Sequence, residues 1–120
     1  MIHYLNLGIK KYWFHITLIL LISIATLSLW PVAYLPNVPG TDKTHHFIAY
    51  AALIFPTALK QPKNIVMITL GFIAFSGTIE LIQPFVNRYG EWLDMVANIV
   101  GLFCGWLLAQ AVLYFSQKRA

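Results

Sequence analysis

Apolar runs of bilayer length divide this chain, and they constrain its fold more than any other feature. A hydrocarbon core about 30 Å thick is crossed by a helix of about 17–25 mostly apolar residues. Runs over residues 13–30, 65–85 and 92–115 meet that length. A fourth, over residues 42–59, is weaker. Its first turn is polar, and Pro56 near its end predicts a kink or an early stop. The chain is 59% hydrophobic and only 10% charged, too apolar for a soluble domain of 120 residues. The expected fold is therefore all-α, an integral membrane bundle of four transmembrane helices forming a single domain over residues 1–120. Lys10 and Lys11 precede the first run as in a signal peptide. That run is longer than a usual signal core and lacks a small-x-small cleavage site after it, so it reads as an uncleaved span.

Charge placement orients the bundle. Lys10 and Lys11, Lys60 and Lys63, and Lys118 and Arg119 flank the spans on one side. The other side carries Lys43 and Arg88 together with all four acids, Asp42, Glu80, Glu91 and Asp94. The positive-inside rule then puts both termini in the cytoplasm. A re-entrant second segment fits less well, because only a span preserves this asymmetry. The formal net charge of +4 reads as topology and contact with anionic lipid rather than nucleic-acid binding. The single cysteine, Cys104, excludes an internal disulfide and any multi-cysteine metal site. Nothing in the sequence calls for a cofactor: there is no phosphate loop, dinucleotide fingerprint or nucleophile elbow.

Glu80 is the anomaly. It sits near the end of an apolar run, where an unpaired charge costs about 2.5–3.5 kcal/mol or more. Its neighbours in helical phase suggest partners. Lys43, His46 and Tyr50 stand at i, i+3 and i+7, and Asp42 nearly shares that face, whereas His45 is turned about 100° away. Gln83 lies three residues after Glu80. Asp94, Asn98, Gly101 and Gly105 step by four, three and four along one stripe. Each has a structural reading as well. Asp42 and Asp94 suit helix N-termini, Lys43 and Arg88 suit interface anchors, and Gly101 with Gly105 form a small-xxx-small packing face. Tyr50 and Gln83 would then only satisfy buried partners, and His15, near the other end, is structural. Taken together, the polar ends of three segments fall on one side, which predicts a polar pocket opening outward.

These residues resemble a known family. Asp42-Lys43-x-x-His46-Phe47-x-x-Tyr50 looks like the first signature of VanZ-like membrane proteins. Glu80-x-x-Gln83 followed by Arg88, Asp94, Asn98 and Gly101 looks like the second. The resemblance implies a small multi-pass protein of the bacterial cytoplasmic membrane. It also implies a link to glycopeptide resistance, since the family takes its name from a member tied to low-level teicoplanin resistance. Two departures stand out: His45 doubles the histidine, and Glu91 replaces an expected small polar residue.

Three functions follow as expectations. The first is an enzyme or binder acting on a lipid-linked anionic substrate such as a cell-wall precursor. Here His46, Glu80 and Asp94 are the catalytic candidates, and Asp42, Lys43, Tyr50, Gln83, Arg88 and Asn98 line the pocket. The second is a non-enzymatic transporter or accessory subunit, with Asp94–Arg88 and Asp42–Lys43 as structural ion pairs. Its small size then favours a homo-oligomer or a membrane partner. The third, a zinc site at His46 with Glu80 or Asp94, suits the ligand types, but no close ligand spacing supports it and no metal is expected. Partners are membrane lipids, and no nucleic acid.

Overall fold

In hydrocarbon every backbone N–H and C=O needs an internal partner, so the apolar runs close into helices. Their threonines are accommodated the same way. Thr17 Oγ1 donates to the Trp13 carbonyl at 2.7 Å, Thr69 to Ile65 at 2.8 Å and Thr78 to Ala74 at 2.8 Å. The computed structural model describes residues 2–30, 42–86 and 92–118, with residues 2, 3, 42, 117 and 118 described by backbone alone. These form α1 (Ile2–Lys11), α2 (Trp13–Leu29), α3 (Asp42–Lys60), α4 (Ile65–Ile82), a 3-10 turn (Gln83–Val86) and α5 (Trp92–Lys118).

Side-chain contacts give the helix directions. Gln83 Nε2 donates to the Ser28 carbonyl at 3.0 Å, so the C-terminal ends of α2 and α4 meet. Gly101 and Gly105 of α5 lie against Phe47 and Ala51 of α3, so α3 and α5 run parallel. Asn98 donates to Ser76 Oγ at 2.6 Å, joining the early part of α5 to the late part of α4, so those two are antiparallel. The chain thus alternates direction from α2 to α5. One end holds the start of α3 and the ends of α2 and α4. The other holds Lys60, Lys63 and the end of α5.

The N-terminal residues ahead of the first apolar run form α1 and turn by 73° into α2. Asn6 and Ile9, one turn apart, anchor it. Asn6 Nδ2 donates to Ser116 Oγ at 2.9 Å. Ile9 packs on Ala58, Leu59, Ala109 and Leu113, a small core that closes this end. The larger core lies midway, with Ile24, Leu53, Ile54, Phe72, Ile79 and Leu102.

Two helical stretches are long and apolar enough to cross a membrane, Ile65–Val86 and Trp92–Ser116. The bent pair Tyr4–Lys11 and Trp13–Leu29 makes a third if it counts as one span. α3 does not qualify on composition, and its position explains why. It packs most extensively against α5 and also meets α1, α2 and α4. Tyr50, Leu53, Ile54, Ala58 and Leu59 are buried within the protein. The neighbouring helices shield α3, so its sequence carries less apolar surface. α3 also continues past the buried Pro56 to Lys60, so the early stop expected at that proline does not occur. It ends where Gln61 takes a left-handed φ of 55° and donates its N–H to the Thr57 carbonyl at 3.0 Å, an αL cap followed by Pro62.

The α3–α5 contact leaves no room for a side chain at Gly101 or Gly105. A Cβ at Gly101 would meet the Phe47 carbonyl oxygen, and one at Gly105 would meet the Ala51 carbonyl and stand 2.7 Å from Ile54 Cγ2. Both obstacles at the carbonyls are backbone, so the helices themselves would have to part. Overpacking of this kind costs about 1–3 kcal/mol. Gly101→Ala and Gly105→Ala are therefore expected to lower the midpoint of thermal unfolding in detergent. Gly71→Ala, where nothing lies within 4 Å of the added carbon, should not. Equal midpoints for all three would show that α3 and α5 are not in backbone contact.

Candidate functional site

Three helices meet at the end opposite the termini, and each contributes a polar pair one turn apart. α3 carries His46 and Tyr50, α4 carries Glu80 and Ser76, and α5 carries Asp94 and Asn98. Because α4 runs against the other two, the pairs stack into two layers. The upper layer is His46, Glu80 and Asp94, whose nearest ligand atoms all lie within 4.8 Å of one another. The lower layer is Tyr50, Ser76 and Asn98. There Asn98 Nδ2 donates to Ser76 Oγ, and the Ser76 and Tyr50 hydroxyls are hydrogen-bonded to each other. Glu80 lies near enough to Tyr50 for the two to interact electrostatically.

Among the described residues, Asp94 is the most enclosed charge. It is 4% exposed and falls in the first turn of α5, where the helix dipole favours a carboxylate. His46 Nε2 stands 3.8 Å from its Oδ2, and Lys43 Nζ stands 3.7 Å from its Oδ1. Lys43 is half exposed at the mouth, whereas His46 is mostly covered. Lys43 thus faces Asp94, the residue that the ion-pair reading assigned to Arg88. Buried acceptors remain. Asp94 Oδ1, Asn98 Oδ1 and Gln83 Oε1 have no hydrogen-bond donor among the described residues. The Gln83 assignment is fixed by chemistry, because the Ser28 carbonyl can only accept and so must face the amide nitrogen.

The structure therefore brings together Lys43, His46, Tyr50, Glu80, Asp94 and Asn98. Gln83 ties the end of α4 to α2, and Gly101 and Gly105 hold α3 against α5. Arg88 and Glu91, and the side chain of Asp42, lie outside the described residues. Ser76 is the residue that sequence reasoning passed over. Its signal was present, since it precedes Glu80 by one turn on the same face, but a lone serine in an apolar run gives no reason to look. Below the polar layers the lining turns apolar. A groove of about 450 Å³ runs between α4 and α5, walled by Leu70 and Ile73, Ile99, Phe103 and Trp106, with Ile54 of α3 behind. It begins one turn past Ser76 and Tyr50 and beside Asn98.

The chain matches the VanZ/LLP1 family over residues 3–114. No curated protein and no solved structure gives a significant match. The matched region takes in α3, α4 and most of α5, and with them every residue of the two polar layers. With two to three candidate spans and a match over nearly its whole length, the chain is a membrane protein that belongs to the VanZ/LLP1 family.

Proposed function

We propose that the two-layer site binds the anionic headgroup of a membrane lipid or lipid-linked cell-wall precursor, with its tail in the α4–α5 groove. The observation that carries this reading is the nearness of the two along the helices: the groove lining begins at Ile73, Ile54 and Ile99, within one turn of Ser76, Tyr50 and Asn98. The groove's volume of about 450 Å³ is that of a small-molecule site. An amphiphile suits such a surface better than a wholly polar or wholly apolar ligand. Lys43 at the mouth supplies positive charge, and the first turns of α3 and α5 point the positive ends of two helix dipoles the same way. His46 stands beside two carboxylates, a placement suited to moving a proton on or off a bound phosphate ester.

The same reading takes α3 as a fourth span, puts both termini in the cytoplasm and opens the site to the outer face of the bacterial cytoplasmic membrane. The charge segregation and the alternating helix directions support it. A protein that holds lipid-linked wall precursors at that face could weaken teicoplanin action, which the family resemblance suggests. A second reading has one observation in its favour: Lys43 and His46 both face the buried Asp94. The three would then be a structural ion cluster in a transporter or accessory subunit.

Native mass spectrometry of the protein in detergent can test the headgroup site. A polyprenyl phosphate should be retained over a zwitterionic phospholipid, and Lys43→Ala with His46→Ala should weaken that retention by about tenfold, or about 1.4 kcal/mol. No preference in the parent protein would remove the headgroup reading. In cells, a raised teicoplanin tolerance that survives Asp94→Asn at normal expression would separate the site from resistance. Activity retained by Lys43→Asp with Asp94→Lys would favour the ion cluster. Orientation is read by labelling single cysteines in a Cys104→Ser background with a membrane-impermeant maleimide. A cysteine at Gln61 should be protected in intact cells and one at Phe85 labelled; the reverse pattern would invert the topology.

A further inference from the structure

We infer that His46, Glu80 and Asp94 form a site for a divalent metal ion. The inference deepens the headgroup reading and rests on the same residues, but its carrying observation is the spacing within the upper layer. An ion-paired hydrogen bond between a nitrogen cation and a carboxylate is about 2.7–2.9 Å long. Lys43 Nζ and His46 Nε2 stand off from Asp94 at 3.7 and 3.8 Å. Two tetrahedral ligands each about 2.0–2.2 Å from a shared ion lie about 3.3–3.6 Å apart. The 3.8 Å between His46 Nε2 and Asp94 Oδ2 is slightly longer than that, nearer to shared ligation than to a direct hydrogen bond. Glu80 completes a triangle with all three ligand atoms inside 4.8 Å, which small side-chain rotations close.

A further fact points the same way. Asp94 is nine-tenths buried, yet its Oδ1 has no hydrogen-bond donor among the described residues. A buried carboxylate oxygen ordinarily has one. A divalent ion held between Glu80 and Asp94 would offset both carboxylate charges, so that an anionic headgroup meets a metal ion instead of two carboxylates.

One imidazole and two carboxylates suit Zn²⁺ or Mn²⁺. Three protein ligands leave at least one position open, the pattern of a site that takes water or substrate rather than a closed structural one. A phosphate oxygen of the headgroup would fill it. Tyr50, one turn below His46, interacts electrostatically with Glu80 and is itself hydrogen-bonded to Ser76, the kind of outer-layer support that metal ligands ordinarily have.

The full-length protein in detergent, stripped with chelator and dialysed against Mn²⁺ or Zn²⁺, should retain about one ion per chain by elemental analysis. His46→Ala, Glu80→Gln and Asp94→Asn should each weaken uptake by at least about tenfold, as loss even of outer-layer partners does. His15→Ala, on the exposed face of α2, should leave uptake unchanged. Because Asp94→Asn could disturb folding, the parent protein provides a second measurement: bound Mn²⁺ should show electron-spin-echo modulation from a histidine nitrogen that His46→Ala removes. No stoichiometric ion, or equal uptake by the parent and all three ligand variants, overturns the metal site. Polyprenyl phosphate retained equally after chelation, with no ion taken up, overturns it while leaving the headgroup site standing. An ion bound without lipid retention supports the metal site and removes the headgroup reading instead.

Discussion

The packing of α3 on α5 is the contact on which the rest depends. Gly101 and Gly105 let the two backbones touch at Phe47 and Ala51. That contact fixes both the rotation and the register of α3. With the helices parallel and in this register, Asn98 and Asp94 lie one turn and two turns from Gly101 toward the site end, where α3 side chains, which lean toward its N-terminus, can reach them, as Lys43 and His46 reach Asp94. A side chain at either glycine would push the helices apart and open the spacing among the three carriers of the upper layer.

The same contact resolves the oddity of α3. In a bilayer the hydrophobic effect does little to bring helices together, so close packing and polar contacts between helices decide association. A helix enclosed by its neighbours meets little lipid and can carry a polar turn that a peripheral helix could not. Asp42 to His46 is that turn. The helices around it, α4 and α5, present Val66, Met67, Leu70, Phe103 and Leu107 outward. Polarity inside and apolarity outside are consistent with a membrane solvent.

The vertical order of the site then has a simple cause. Titratable groups occupy the layer nearest the end of the bundle, where dipoles and access to water lower the cost of charge. Hydroxyl and amide groups occupy the next turn, where they need only hydrogen bonds. Leu53, Ile54, Phe72 and Leu102 follow, and the groove between α4 and α5 opens at that depth.

Much of this was legible in the chain. The helices over residues 13–30, 42–59, 65–85 and 92–115 followed from apolar length, because a bilayer leaves the backbone no other way to satisfy itself. The stripe Asp94, Asn98, Gly101, Gly105 and the face of Lys43, His46 and Tyr50 followed from helical phase, which is a local property. What could not be read locally was which faces meet. The docking of residues 2–11 joins Asn6 to Ser116, a partner more than a hundred residues away. Ser76 matters only because Asn98 and Tyr50 arrive beside it. The gap of 3.8 Å between His46 and Asp94 depends on the distance between two helix axes. Phase along one helix is written by the order of residues; distance between helices is set only when their small and large side chains pack.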